Sequence, residues 1–531
     1  MRLLDLYPSQ GCFASNQPIS FVAEIEVQSA ALGMLELSIQ HLADPAVRVE
    51  IPLELEPGVR RIPMTWEASG ISPAGYGVTA ELIDASNRIR SVKTTAFDVL
   101  PHWTKFPRYG FLTDFFPERQ DIDKTIDDLT RYHLNGLQFY DWQYRHDRLL
   151  APSEVFSDPL GRLLSLATIR GFIDSAQRCG MATMAYLAVY AASISFWRAH
   201  PDWALYDHIG RPIPFGEDFL GLMDPSPGRP WVGHLLDECR RALAELSFDG
   251  LHIDQYGEPR QAWDMNANPV DLPGAFVQFI QAAKDGTGGK TVLFNAVGNW
   301  PIETLAASAV DFLYIEVWPP QVRYSDLVEI LQNARKLSNG KPAVIAVYLP
   351  PTRPANILLA NALVFACGGS RIELGEHKQW LADPYFPKHQ PLERGLQDSL
   401  RRNYDFAVRY GEWIGPGGTD LDNSDIQIDG QVWRFLRRTR GWLVINLVNY
   451  SGLSPDPRWD EAHPMPQACK DLEMRLPLVE RPRGVLWARP EQPKSGPKSL
   501  PFDYHNGCLS VRLPVLETWG MVVIEDESGS R

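Results

Sequence analysis

Cysteine is scarce: the 531 residues hold six, Cys12, Cys179, Cys239, Cys367, Cys469 and Cys508, with no C-x-x-C pair and no Cys/His spacing. That scatter offers neither a zinc site nor a redox motif and leaves reduced thiols as the expectation. No run of 18 apolar residues occurs, so no membrane-spanning helix is expected. The amino terminus, MRLLDLYPSQG, lacks the apolar core and cleavage site of a signal peptide. The expected location is therefore the cytoplasm, or outside the cell if a leader has been removed. Positive charge is in deficit, with 51 Lys and Arg against 65 Asp and Glu, a net −14. With no basic tract to offset it, nucleic acid and anionic membranes are poor partners, whereas a neutral ligand is compatible. Motifs of other chemistries are missing as well. GTGGKT, ending at Thr291, lacks the phosphate-loop spacing, and no G-x-S-x-G, HxH or HExxH occurs. Neither a metal nor a cofactor is expected.

Aromatic residues, in contrast, are plentiful at 11%, and many stand beside Asp, Glu, Asn or His rather than inside aliphatic runs. Flat rings with polar neighbours suit sugars, which are apolar on one face and ringed with hydroxyls, although core packing accounts for many rings in any protein. The densest such stretch is FYDWQYRH, Phe139 to His146, which follows the apolar run LNGLQ.

The order of patterns predicts a multidomain α/β plus all-β chain. Residues 1–102 read as short strands separated by turns with no helical period, an immunoglobulin-like β-sandwich. Residues 103–415 alternate strands with helices, which predicts a central (β/α)8 TIM barrel. Its eight strands are RYGFLTDF, NGLQFYDW, MATMAYLAVY, FDGLHIDQYG, TVLFNAVGN, DFLYIEVW, PAVIAVYL and SRIEL. Between the third and fourth lies a long segment rich in aromatics, Pro and Gly, expected to form part of a cleft. Residues 416–531 return to strand patterns and predict a C-terminal antiparallel β-sandwich.

In a barrel the carboxyl ends of the strands converge on one cavity. Those ends supply Asp114, then Tyr140, Asp141 and Trp142 with His146 just beyond, then Tyr186 and Tyr190, then His252, Asp254 and Gln255. The later strands add Asn295 (with Asn299 beyond), Glu316 and Trp318, Tyr348, and Glu373. The carboxylates of strands four and six are the sharpest feature. Two carboxyl groups flanking a cavity suit glycoside cleavage, one as nucleophile or base and one as proton donor. Glu316, in the apolar context YIEVW, is expected to have the raised pKa of the acid, and Asp254 to stay ionised. The alternative is that both are helix caps or ion-pair partners. His252, two positions before Asp254, faces the same interior and reads as a substrate contact or a structural hydrogen bond.

LNGLQFYDWQYRHD, FDGLHIDQYGE and VDFLYIEVW resemble motifs of glycoside hydrolase family 66, the dextranases and cycloisomaltooligosaccharide glucanotransferases. The resemblance extends over nearly the whole chain. It implies a retaining mechanism on α-1,6-linked glucans, with Asp254 as nucleophile and Glu316 as acid/base. It also implies an α-glucan or isomaltooligosaccharide as partner, bound by the strand-end residues just named. No large module interrupts the barrel pattern, which favours hydrolysis over the transfer that makes cyclic products. A catalytically silent carbohydrate-binding protein is the remaining reading, and the oligomeric state stays open.

Overall fold

The computed structural model of the protein describes residues 1–67, 71–439, 441–492 and 496–525. Near the amino terminus, Arg2–Pro8, Ile19–Val27 and Gly58–Trp66 form a three-stranded sheet, and Val47–Leu55, Ala31–His41, Gly75–Asp84 and Ile89–Asp98 a four-stranded one. Alternation sets the inward face: Ile19, Phe21, Ala23, Ile25 and Val27 are all buried and their neighbours are not. Strand side chains point to opposite faces with a period of two, so one face joins the core shared with Leu35, Leu37 and Val78.

The middle of the chain forms a curled, parallel-rich sheet of ten strands. In chain order its first eight are Tyr109–Leu112, Gly136–Phe139, Ala182–Ala188, Gly250–Asp254, Thr291–Val297, Leu313–Glu316, Ala343–Ala346 and Ser370–Ile372. Neighbours pair in parallel in that order, with helices such as Leu166–Arg178 and Pro230–Leu246 between them. The eighth segment pairs with the seventh, and a few residues on Gly375 pairs with Phe111 of the first.

Two cores follow from the pleat of this sheet. Leu137, Phe139, Leu251, Ile253, Ile315 and Ile345 face the helices and join their buried stripes, such as Ile169, Phe172 and Ile173. Tyr109, Phe111, Met184, Leu293, Tyr314, Val344 and Ile372 face inward and fill the inside of the curl. Each fully buried large apolar side chain contributes about 1.5–3 kcal/mol of transfer free energy. The inside of the curl is therefore packed, and an open cavity remains at the strands' carboxyl ends, where the inward register reaches Tyr140, Tyr186, Asp254, Asn295, Glu316 and Tyr348.

Beyond it, Val432–Thr439, Trp442–Asn449, Trp519–Glu525 and Gly484–Ala488 form the body of a six-stranded sheet. It faces a four-stranded one built on Cys469–Pro477 and Cys508–Leu516 across a core of its own.

Candidate active site

Asp254 closes the fourth parallel strand and Glu316 the sixth, and Asn295 of the fifth stands between them. Asn295 Nδ2 donates to Asp254 Oδ1 and to Glu316 Oε2, each at 2.8 Å. Those two oxygens are thus separated by no more than the sum of two hydrogen bonds. Asp254 also accepts from the Tyr186 hydroxyl at 2.7 Å and from the Gln255 backbone N–H at 2.9 Å. The hydroxyl of Tyr348 donates to Glu316 Oε1 at 2.8 Å. Burial lifts both phenols well above their ordinary value, so they remain protonated donors.

The electrostatics follow from this crowding. Burial pushes Asp254 up to about 7, and the nearby Glu316 charge adds to the rise. Burial raises Glu316 too, against the hydrogen bonds from Asn295, Tyr348 and Trp318. The sequence expectation that only Glu316 is raised is therefore corrected: Asp254 sits in the same dry pocket and feels the same like charge. Two carboxyls this close raise one another and titrate as a coupled pair.

Around the pair lies a cavity of about 290 Å³. Tyr140, Tyr186, His252, Gln255, Asn295, Trp318 and Tyr348 line it, as read from the sequence. Tyr140 stacks on Phe386 at 4.4 Å and tilts against Tyr186 at 5.0 Å, so its ring is fixed. His252 lies 3.1 Å from the Tyr109 hydroxyl, and burial pulls it down to about 3, so it is a neutral imidazole. Gln255 spends its side chain on the Asn295 and Trp300 carbonyls and the Gly257 N–H, which makes it a brace beneath the nucleophile candidate.

Other predicted contacts are placed elsewhere. Trp142 is fully buried against Phe248, and its indole N–H donates to the Tyr186 carbonyl at 3.1 Å. Asp141, at φ 49°, takes a left-handed conformation that breaks the strand alternation and sends Trp142 under the sheet end. Tyr190 is buried and accepts the Tyr256 N–H at 2.7 Å, positioning Tyr256, which does line the cavity. His146 is buried and drawn down to about 4 by desolvation, and it is not part of the cavity wall. Glu373 directly follows the eighth strand and continues its helix-facing register. There it pairs with Arg371 at 3.3 Å and accepts from Asn361 and Tyr404, so it belongs to a buried structural cluster. Asp114 is held by His389 at 3.3 Å and is outside the wall. Asp141 also lies outside it, 3.9 Å from Arg162, and burial pushes its carboxyl up to about 7.

The cavity wall includes residues that the sequence reading missed. Gln138 and Tyr314 lie on the inward register of strands two and six, which their period of two could have shown. Tyr385 and Phe386 arrive from the segment after the eighth strand, and Phe215 from the insertion, stacked on Tyr256 at 4.0 Å. The expectation that this insertion contributes to the cleft holds through Phe215.

Among solved structures, the chain is similar to the cycloisomaltooligosaccharide glucanotransferase of a Paenibacillus species, complexed with cycloisomaltoheptaose. The two are 20% identical with a TM-score of 0.89, covering 98% of this chain and 99% of that one, which shows a shared fold. Among curated proteins it is 28% identical over 344 residues to a cycloisomaltooligosaccharide glucanotransferase of Niallia circulans. That match covers 60% of this chain and 35% of the relative. A second glucanotransferase of the same organism is 22% identical, covering 87% of this chain and 66% of the relative, so the chain spans under two thirds of both. A dextranase of Streptococcus salivarius is 22% identical, covering 93% of this chain and 73% of that protein. The description glycosyl hydrolase family 66 matches residues 18–523, continuous through the Asp254, Asn295 and Glu316 cluster, and the chain belongs to that family.

Proposed function

We propose that this chain is a retaining glycosidase that cleaves α-1,6-glucosidic bonds in dextran or isomaltooligosaccharides. The proposal includes a (β/α)8 barrel over 103–415 as the catalytic unit, carried between sandwiches at 1–102 and 416–531. The amino-terminal strands and the carboxyl-terminal sheets each bury a core of their own residues, which supports that division.

One observation carries the mechanism: a single amide group bridges the two carboxyls. Retaining enzymes hold their carboxyl groups about 5 to 5.5 Å apart, and inverting ones about 6.5–9.5 Å, to leave room for a water. Nearest oxygens that share Asn295 Nδ2 at 2.8 Å each fit the shorter spacing. In the proposed reaction Asp254 attacks the anomeric carbon while Glu316 gives its proton to the departing glycosidic oxygen. Glu316 then takes a proton from water, which opens the glucosyl ester and frees Asp254. The division of roles follows the family resemblance, with Asp254 as nucleophile and Glu316 as acid/base; each carboxyl is held by hydrogen bonds, Asp254 from Tyr186, Gln255 and Asn295 and Glu316 from Asn295, Tyr348 and Trp318.

A second reading is favoured by the glucanotransferase relatives: a sugar hydroxyl, rather than water, opens the same ester and closes a ring. Incubation with dextran, product chromatography and NMR of the first-formed anomer test both. Linear products with retained configuration support the hydrolase. Cyclic products establish transfer instead, inverted configuration overturns the retaining mechanism, and no turnover points to a silent binding protein.

A further inference from the structure

A second and larger recess, about 890 Å³, lies next to the cavity that holds the carboxyl pair. The two adjoin through two short segments of chain. Phe215 and Tyr256, stacked face to face, line the catalytic cavity, and Pro214, next to Phe215, and Glu258, two residues after Tyr256, line the recess. Half-buried Trp263 forms part of the recess, with its indole N–H unpartnered among the described residues. The His208 ring lies 6.2 Å from it. The platform is rigid, because Trp263 exchanges both backbone hydrogen bonds with Tyr206 and the next residue, Asp264, is held by Arg229 at 2.8 Å. Arg260, at the rim, is exposed and packs over the Trp300 ring at 5.6 Å.

A flat aromatic with an available N–H, flanked by polar side chains, presents what a glucosyl residue needs: a face for its C–H groups and partners for its hydroxyls. Glu258 and Arg260 pair with each other at 3.6 Å, but both are exposed and neither is locked in a buried network, so both can meet hydroxyls. We propose that this recess is a remote subsite that binds glucosyl units of the same α-glucan chain several residues away from the bond being cleaved. This rests on the α-glucan reading above and goes beyond it by assigning the recess and Trp263 to chain-length preference.

The test compares isomaltotriose with isomaltoheptaose. Trp263→Ala is expected to raise KM for the heptaose about tenfold more than KM for the triose, the size of one lost ring contact. Trp263→Phe, which keeps a flat ring, is expected to restore most of the difference, and exposed His208→Ala to give a smaller shift in the same direction. Calorimetric binding of isomaltoheptaose to Asp254→Asn, with and without Trp263→Ala, reads the subsite independently of turnover, and a thermal melt confirms folding. Equal KM ratios and equal heptaose affinity in folded Trp263→Ala overturn the subsite. Absence of turnover on every α-glucan overturns the functional reading, while the binding arm still decides the subsite: weaker heptaose binding supports it, and no Trp263-dependent binding removes it.

Discussion

The indole N–H of Trp142 donates to the backbone carbonyl of Tyr186 across 3.1 Å, and the hydroxyl of that same tyrosine donates to Asp254 at 2.7 Å. A ring outside the cavity thus fixes the residue that holds the nucleophile candidate. Trp142→Phe keeps most of the packing but strips a buried carbonyl of its donor, a loss of about 1–3 kcal/mol. The expected result is lower stability in urea unfolding together with a fall in kcat at nearly constant KM. A purely structural role for Trp142 would move only the first.

Asn295 is the bridge between the carboxyls. Its hydrogen bond to Asp254 opposes the rise that burial imposes, so its removal lets the Asp254 pKa climb further. Asn295→Ala should lower kcat/KM and move the acid limb of its pH profile upward, since that profile reports the free enzyme. An unchanged acid limb would detach Asn295 from the titrating pair.

Folding stability should carry the signature of Asp254. A carboxyl whose folded pKa is raised binds protons more tightly in the native state, so stability is lost as pH rises from the unfolded value near 3.8 toward about 7. Asp254→Asn removes that titration. Its melting temperature relative to the parent should therefore rise between pH 4 and pH 7 and level off above; a difference flat in pH contradicts the assignment.

Asp141 lies outside the cavity wall but keeps a carboxyl that burial pushes up, with Arg162 only partly compensating. Outside the wall it is placed as a partner of Arg162, so Asp141→Ala is expected to keep near-normal turnover with the fold intact by circular dichroism. A strong fall in turnover would return it to the substrate site that its strand-end position suggested.

Glu373 makes the contrasting case. Its removal leaves Arg371 buried without a counter-charge, and breaking a buried pair costs about 3–5 kcal/mol. Glu373→Ala should unfold at markedly lower denaturant while the folded fraction keeps its specific activity. Loss of activity without loss of stability would restore it to the substrate site.

The sequence by itself determined the parts that depend on a local period. Alternation of two placed Asp254 with His252 on the inward register, and strand-helix alternation brought the ends that carry Asp254 and Glu316 into one neighbourhood. Asn295 and Tyr348 were legible for the same reason. Glu373 was misassigned although the register carried the answer: Ile372 faces inward, so its neighbours Arg371 and Glu373 face the helices. Tertiary structure decided what lies past the strand ends. In FYDWQYRH the left-handed Asp141 breaks the period, so Tyr140 enters the cavity and Trp142 goes beneath it. Tyr385, Phe386 and Phe215 reach the wall from segments far away in sequence, where no periodicity links them to the carboxyls. The raised pKa of Asp254 was likewise invisible in the chain, because it arises from burial and from a closeness to Glu316 that only the curl of the sheet sets.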